Sequence, residues 1–139
     1  MENRKQEPPQ SQTKKIRDVT QLHTWQAARK LRAELYRLTG PFPREEKLGL
    51  AAQTRRAAVS VTANLAEGYG RFSYQENIQY CRQSRASTYP VRDHLTTALD
   101  QAYLSQPRWE ELDDLARPVI PVLNGYIRAT QKLGEKREV

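Results

Sequence analysis

Apolar side chains recur along this chain at the three- and four-residue spacing of amphipathic helices, and no stretch alternates β-branched and polar residues as a strand would. The spacing predicts four helices, at about 19–38, 44–67, 73–104 and 108–133. Turn-forming residues separate them, at 40–43, 68–72 and 106–107. Four helices joined by short connections predict an all-α fold, an antiparallel up-down-up-down four-helix bundle.

Several helix ends carry recognisable signals. Asp18 or Thr20 is placed to cap the first helix. Ser73, followed three residues later by Glu76, is a capping-box pattern that begins the third helix. Gly68 is predicted to end the second helix in the left-handed conformation that favours glycine.

Three prolines fall inside the predicted helices. Pro90 lies in the third helix, where the missing backbone donor costs about 3 kcal/mol. Because the apolar spacing continues on both sides of it, we expect a kink near 85–86 and not a break. Pro118 and Pro121 lie in the middle of the fourth helix, whose continuity is therefore left open.

The second helix is apolar on more than one side, since Leu48 to Ala66 contains only two charged residues, Arg55 and Arg56. One face groups Leu50, Ala57, Val61 and Leu65. The opposite face groups Ala52, Val59, Ala63 and Ala66. A helix of this kind is covered on several sides. In a chain of 139 residues we expect the second cover to be another copy of the protein, in a homo-oligomer.

The net charge of +7 is shared between the tail and the body of the chain. Residues 1–17 carry +3 and few apolar side chains, which predicts a disordered basic tail before a bundle at 18–133, with a frayed end at 134–139. A basic surface with a basic arm suits RNA or DNA, and the candidates in the tail are Lys14, Lys15 and Arg17. The same charge also fits a protein that is merely kept soluble.

Little in the sequence favours catalysis. Cys81 and His94 are 13 residues apart, or about 20 Å along a helix, too far for a nucleophile–base pair. No set of residues has metal-ligand spacing, and we expect neither an enzyme nor a cofactor. One cysteine indicates a reducing compartment, and the lack of a signal peptide or an apolar span predicts a cytoplasmic protein that does not bind membranes.

The adjacent arginines of the second helix point about 100° apart and serve different surfaces. Arg56 shares a polar arc with four other residues, Gln53, Ser60, Asn64 and Glu67. We expect this arc to form ion pairs between helices or between subunits, with phosphate binding as the alternative. Arg55, on the side away from the core, is the better candidate for phosphate.

Aromatic residues and arginines are interleaved around the second turn, at Tyr69, Arg71, Phe72, Tyr74, Tyr80 and Arg82. Such a group can stack the bases of single-stranded RNA, which makes Arg71 and Arg82 further nucleic-acid candidates. The favoured alternative is that the rings pack the end of the bundle or a subunit contact. The turn at 67–71 precedes a helix start, where backbone donors can bind an anion, although a plain turn explains it as well.

The run from Trp25 through Tyr103 resembles the bacterial four-helix-bundle family first noted in open reading frames within intervening sequences of large-subunit ribosomal RNA genes. The matching residues are Trp25, Ala28, Tyr36, Leu38, Thr39, Phe42, Pro43, Glu46, Gly49, Leu50, Gln53, RRAAVS at 55–60, Asn64, AEG at 66–68, Gly70, Arg71 and Ser73. A departure follows, because relatives carry Ala-x-Gly-Ser and then an acidic residue where this chain has SRAS at 84–87 and then Pro90.

The resemblance implies homopentamers and no established enzymatic activity. Accessory variability proteins of diversity-generating retroelements share the architecture and bind a reverse transcriptase with its template RNA. We therefore expect a non-catalytic oligomeric scaffold that binds RNA or DNA, as a possible accessory to a reverse transcriptase. The alternative is a purely structural or protein-interaction oligomer whose arginines are used in subunit contacts.

Overall fold

The computed structural model describes residues 18–138, which contain helices and turns but no strand. Five α-helices follow one another: α1 (His23–Thr39), α2 (Leu50–Tyr69), α3 (Tyr74–Asp100), α4 (Gln106–Ala116) and α5 (Val119–Glu138). Two short 3-10 turns precede α1 and α2, at Val19–Gln21 and Arg44–Glu46. Since α4 and α5 together occupy the place of the fourth predicted helix, the all-α helical bundle is confirmed. Residues 1–17 and 139 lie outside the described part, and fraying of 134–138, which α5 includes, stays a prediction.

The first two helices begin later than the apolar spacing predicts. The Asp18 side chain accepts a hydrogen bond from the Thr20 amide at 3.0 Å, as predicted for a cap, but it caps the short 3-10 turn that precedes α1. The helix α2 starts at Leu50, whose amide donates to Glu46 Oε1 at 3.1 Å. The Tyr103 hydroxyl donates to the other oxygen of Glu46 at 3.0 Å, so one carboxylate joins the start of α2 to the turn that follows α3.

Gly68 does not adopt the predicted left-handed cap conformation. It is buried inside α2, which continues to Tyr69, and no glycine within residues 18–138 has a positive φ. A Cβ added at Gly68 would lie 2.7 Å from Asn77 Oδ1 and 2.8 Å from the Tyr80 Cβ. The absence of a side chain therefore lets α2 and α3 approach each other closely.

Helix α3 begins as predicted and passes through Pro90 without a break. Ser73 Oγ accepts from the Glu76 amide at 3.0 Å, which confirms that half of the capping box. The helix ends at Asp100 and not at 104, because Ala102 takes a left-handed φ of 63°. The amides of Ala102 and Tyr103 donate to the carbonyls of Leu99 and Ala98, the two bonds of a Schellman motif.

The predicted fourth helix breaks at Pro118. This residue has no N–H to donate to the Asp114 carbonyl, and the chain leaves α4 at Arg117 before α5 begins at Val119. Pro121 falls in the first turn of α5, where amides have no intrahelical partner and proline is tolerated.

The core lies along the middle of the bundle and receives leucines from all the helices. The fully buried leucines are Leu31, Leu35, Leu65, Leu95, Leu112 and Leu123. A smaller cluster of Phe42, Ala51 and Ala98 fills one end, where Tyr103 packs on Phe42 with ring centroids 4.9 Å apart. None of the helices between residues 18 and 138 is long and apolar enough to cross a membrane.

One side of α2 takes no part in this core. We call it the outer face and define it by Ala52, Val59, Ala63 and Ala66. The last three are exposed, and Val59 keeps 39% of its surface accessible. Small apolar side chains therefore face outward, as the helical spacing predicts.

Candidate nucleic-acid interface

Arg55 lies on the flank of α2 that faces the end of α1. Its Nε donates to Thr39 Oγ1 at 2.7 Å and its Nη2 to the Tyr36 carbonyl at 3.2 Å. The guanidinium also lies 4.5 Å from the centre of the Tyr36 ring. The Tyr36 carbonyl also accepts from the Gly40 amide, so Arg55 adds a charged donor at the C-terminal end of α1, where the helix dipole favours a cation. This contact differs from the expectation that Arg55 points away from the bundle, because the end of α1 lies beside that flank.

Arg56 lies on the exposed side of α2, between the outer face and a groove. Within residues 18–138 its guanidinium has neither a hydrogen bond nor an ion pair. The two neighbouring arginines thus have different environments: Arg55 is bonded to its own chain, and Arg56 is available to a ligand or to another subunit.

Most residues of the polar arc of α2 form hydrogen bonds or an ion pair within the chain. The hydroxyls of Ser60 and Ser87 are 2.8 Å apart, which joins α2 to α3. The Asn64 amide donates to the Ser60 carbonyl at 2.9 Å and to its hydroxyl at 3.0 Å. Glu67 pairs with Arg71 at 2.6 Å, one turn further along. Of the predicted interface residues, Gln53 and Arg56 keep side chains without such contacts in the described part of the chain.

Arg71 and Arg82 differ in how firmly they are held. Arg71 bonds Glu67 and also donates to the Tyr80 hydroxyl at 2.8 Å, with its guanidinium 4.9 Å from the centre of that ring. Arg82 is exposed, and in the described part of the chain its one hydrogen bond goes to Gln79 Oε1, at 3.3 Å. Arg82 is therefore the freer cation of the two, and Lys14, Lys15 and Arg17 fall outside the described residues.

Three aromatic residues of the second turn, Phe72, Tyr74 and Tyr80, have different surroundings. Tyr80 holds Arg71, and Tyr74 lies beside Gly134 of α5. Phe72 is fully exposed at the edge of an open groove between the start of α3 and the end of α5. Tyr80 and Tyr74 pack against the protein, as the alternative to RNA stacking predicts, whereas Phe72 is accessible to solvent.

An interhelical ion-pair network was missed from the sequence. Asp113 of α4 is buried and accepts from Arg92 of α3 at 2.8 and 3.3 Å, with Arg117 at 3.4 Å. Burial raises the pKa of Asp113, but the hydrogen bonds and charges of Arg92 and Arg117 outweigh it, and the net pKa is lowered. The Asp113–Arg117 spacing is visible in the sequence, but the Arg92 contact depends on how the helices pack.

A second network joins α4 to α1. Arg108 pairs with Glu34 at 2.8 Å and with Glu111 at 3.0 Å, and Arg37 also pairs with Glu34. The hydrogen bond from Arg108 lowers the pKa of Glu34. These arginines are neutralised by carboxylates of their own chain.

The cysteine thiol has the environment of a structural residue. Cys81 is buried, and burial raises its pKa to about 11, so that the thiol stays protonated near neutral pH. Its Sγ lies 3.5 Å from Asn77 Oδ1. Between residues 18 and 138 no group of three His, Cys, Asp or Glu side chains is placed to hold a metal ion.

Comparison with known proteins finds one matching family model and a solved structure with a similar fold. A family model described as 23S rRNA-intervening sequence protein matches residues 20–125. A solved structure from Bacteroides thetaiotaomicron, described as a protein with unknown function from the S23 ribosomal protein family, matches with a TM-score of 0.69 at 15% identity. The match covers 76% of this chain and 95% of that one, and at this identity it shows a shared fold. No curated protein matches the chain.

Proposed function

Because the chain belongs to the 23S rRNA-intervening sequence protein family, we propose that it is a non-catalytic oligomeric scaffold that binds nucleic acid, either RNA or DNA. The observation that carries the proposal is that arginines are left without a carboxylate partner on a protein with a net charge of +7. Neither Arg56 nor Arg82 forms an ion pair within residues 18–138. Unpaired surface cations are the groups that neutralise phosphates and release counterions.

The contacts between helices support an antiparallel up-down-up-down order. Along the α1–α2 contact, Arg32 meets Thr62 and Thr39 meets Arg55, so numbers rise in one helix as they fall in the other. The α2–α3 contact behaves in the same way, since Ser60 meets Ser87 and Gly68 meets Asn77.

The outer face of α2 is proposed to be the contact between copies in a homo-oligomer. Its side chains are small, so a neighbouring helix can approach closely, and leaving them in water forgoes about 25 cal/mol for each Å² of apolar surface. A ring of five copies, and an accessory role beside a reverse transcriptase, rest on the family resemblance alone.

Nucleic-acid binding is tested by fluorescence anisotropy with single-stranded RNA and duplex DNA across a salt series. We expect the logarithm of affinity to fall with the logarithm of salt at about 0.7 per phosphate neutralised for RNA and about 0.9 for DNA. Removal of residues 1–17 and the Arg82→Gln substitution should each reduce the slope. The matched control is Arg37→Gln, which removes the same charge from an arginine already paired with Glu34.

The competing function is a purely structural or protein-interaction oligomer. The ion pairs of Arg71, Arg92 and Arg108 favour it, since these cations already serve the protein's own packing. An oligomer that binds neither RNA nor DNA at low salt would establish this function in place of the scaffold.

A further inference from the structure

A groove between α2 and α3 is lined by several polar side chains, some of which form no hydrogen bond within the described residues. It has a volume of about 290 Å³ and is lined by Gln53, Arg56, Ala57, Ser60, Ser87, Pro90 and His94. The contact of Ser60 with Ser87 joins the two helices beneath it. We call this space the α2–α3 groove.

The free donors of the α2–α3 groove are Gln53, Arg56 and His94. None of these three side chains has a hydrogen bond or an ion pair elsewhere in the described part of the chain. The serine hydroxyls are occupied, because they bond each other, Ser87 also donates to the Gln83 carbonyl, and Ser60 accepts from Asn64. The groove therefore presents a guanidinium, an imidazole and a carboxamide around a floor whose polar groups are satisfied.

The ligand that fits this set is an oxyanion. No Asp or Glu is among the residues that line the groove, and the nearest carboxylate on the same stripe of α2, Glu67, is paired with Arg71. A guanidinium fork matches two oxygens of a phosphate, and an imidazole or an amide can donate to a third. Because Pro90 and Ala57 form part of the lining, the groove also offers apolar contact to whatever carries the phosphate.

We propose that the α2–α3 groove binds a phosphate group through Arg56, His94 and Gln53. Resting on the proposed function, we assign that phosphate to the backbone of a bound nucleic acid. A phosphate monoester of a free nucleotide offers the same chemistry, and the two sources are separated by the experiments below. The proposal gives the unpaired arginine of α2 a phosphate ligand in place of the subunit ion pair expected from the sequence.

The first experiment follows the histidine ring resonances by NMR at constant pH while inorganic phosphate, and separately AMP, is added. The chain has two histidines, and His23, which is exposed at the start of α1, is an internal control. We expect the His94 resonances to shift and the His23 resonances to stay in place. In Arg56→Gln the His94 shift should be lost.

The second experiment repeats the RNA salt series with Arg56→Gln. Loss of one phosphate contact should reduce the slope by about 0.7. Arg37→Gln is again the matched control, because Arg37 is already paired with Glu34 and its removal lowers the net charge equally. We expect this control to keep the wild-type slope.

The outcomes separate the groove from the proposed function. If His94 does not respond to phosphate, or if Arg56→Gln changes the mass of the assembly instead of phosphate binding, the groove proposal is wrong. If phosphate and AMP shift His94 but RNA and DNA do not bind, the groove stands as a site for a free phosphate compound and the scaffold function fails.

Discussion

The two sides of α2 use small residues for opposite purposes. Toward α3, Gly68 permits the helices to approach until an added Cβ would overlap Asn77 and Tyr80, and Ser60 bonds Ser87 across the contact. On the outer face, the side chains of Ala63 and Ala66 are also small, but they are exposed. On the side of α2 that faces α3, a small residue therefore permits a close contact within the chain. On the outer face, small residues leave a surface that a partner can approach closely.

The largest loss of stability is expected at Gly68, where α2 already packs closely against α3. Gly68→Ala should destabilise the fold by about 2 kcal/mol, because the new methyl group overlaps Asn77 and the α3 backbone must shift. Gly125→Ala is the control: a Cβ there meets only Arg128 Nη2 at 3.9 Å, and alanine should stabilise α5 by about 1 kcal/mol. Urea unfolding of both variants measures the difference, and equal effects would show that close packing at Gly68 is unimportant.

Low pH tests a second contact that is already made within the bundle, the ion pair between the buried Asp113 of α4 and Arg92 of α3. The folded pKa of Asp113 lies below its ordinary value of 3.8, so its pairing stabilises the protein above that pH and is lost as the pH falls through the lowered folded pKa. Asp113→Asn should cost about 1.5 kcal/mol at pH 7, a figure that allows for the partial exposure of Arg92.

The measurement for Asp113 is the free energy of unfolding at several pH values between 3 and 7. Wild type and Asp113→Asn should converge as the pH falls below about 4. A constant gap between them over the whole range would contradict the ion-pair account.

Arg55 and Arg56 are neighbours in sequence, but only the first is hydrogen-bonded to another helix. Their substitutions should therefore differ in their effect on stability. Arg55→Ala should cost about 1 kcal/mol, because it removes the charged donor that bonds the Thr39 hydroxyl and the Tyr36 carbonyl. Arg56→Ala should leave the stability of the single bundle almost unchanged, since Arg56 bonds nothing else within residues 18–138. Thermal melting at a concentration that gives monomers compares the two, and a larger loss for Arg56→Ala would reverse their assigned roles.

The smallest effect is expected at the end of α3, where alanine occupies a position that suits glycine. Ala102 has a φ of 63°, a conformation that costs a residue with a Cβ about 1 kcal/mol and that glycine, which has none, adopts without this cost. Ala102→Gly should therefore stabilise the protein by about 0.5 to 1 kcal/mol. A loss of stability would mean that the alanine methyl group makes a favourable contact that outweighs the strain.

The apolar spacing was sufficient to predict the helices but not where each one ends. Gly68 and Ala102 show why: a glycine near a helix end serves a left-handed cap or a close contact equally well, and the sequence does not distinguish them. The actual left-handed residue is an alanine. Pro90 and Pro118 also look alike in sequence, yet only Pro118 interrupts a helix.

The candidate site was predicted less well than the fold, because it depends on which helices become neighbours. The periodicity of α2 assigns Arg55 and Arg56 to different surfaces, and the structure agrees. The end of α1 lies beside Arg55 through tertiary packing, so the sequence could not show that this arginine already has partners. The ligand of Arg56 stays a prediction in either form, as a subunit carboxylate or as a phosphate.

The most direct test of the comparison is the mass of the full chain by native mass spectrometry, for wild type and for Ala63→Glu on the outer face. Ala33→Glu, which places the same charge on an exposed position of α1, is the matched control. We expect wild type and the control at the same multiple of 16.1 kDa, and Ala63→Glu as a helical monomer. A wild-type monomer, or an Ala63→Glu assembly of unchanged mass, would contradict a subunit contact through the outer face of α2.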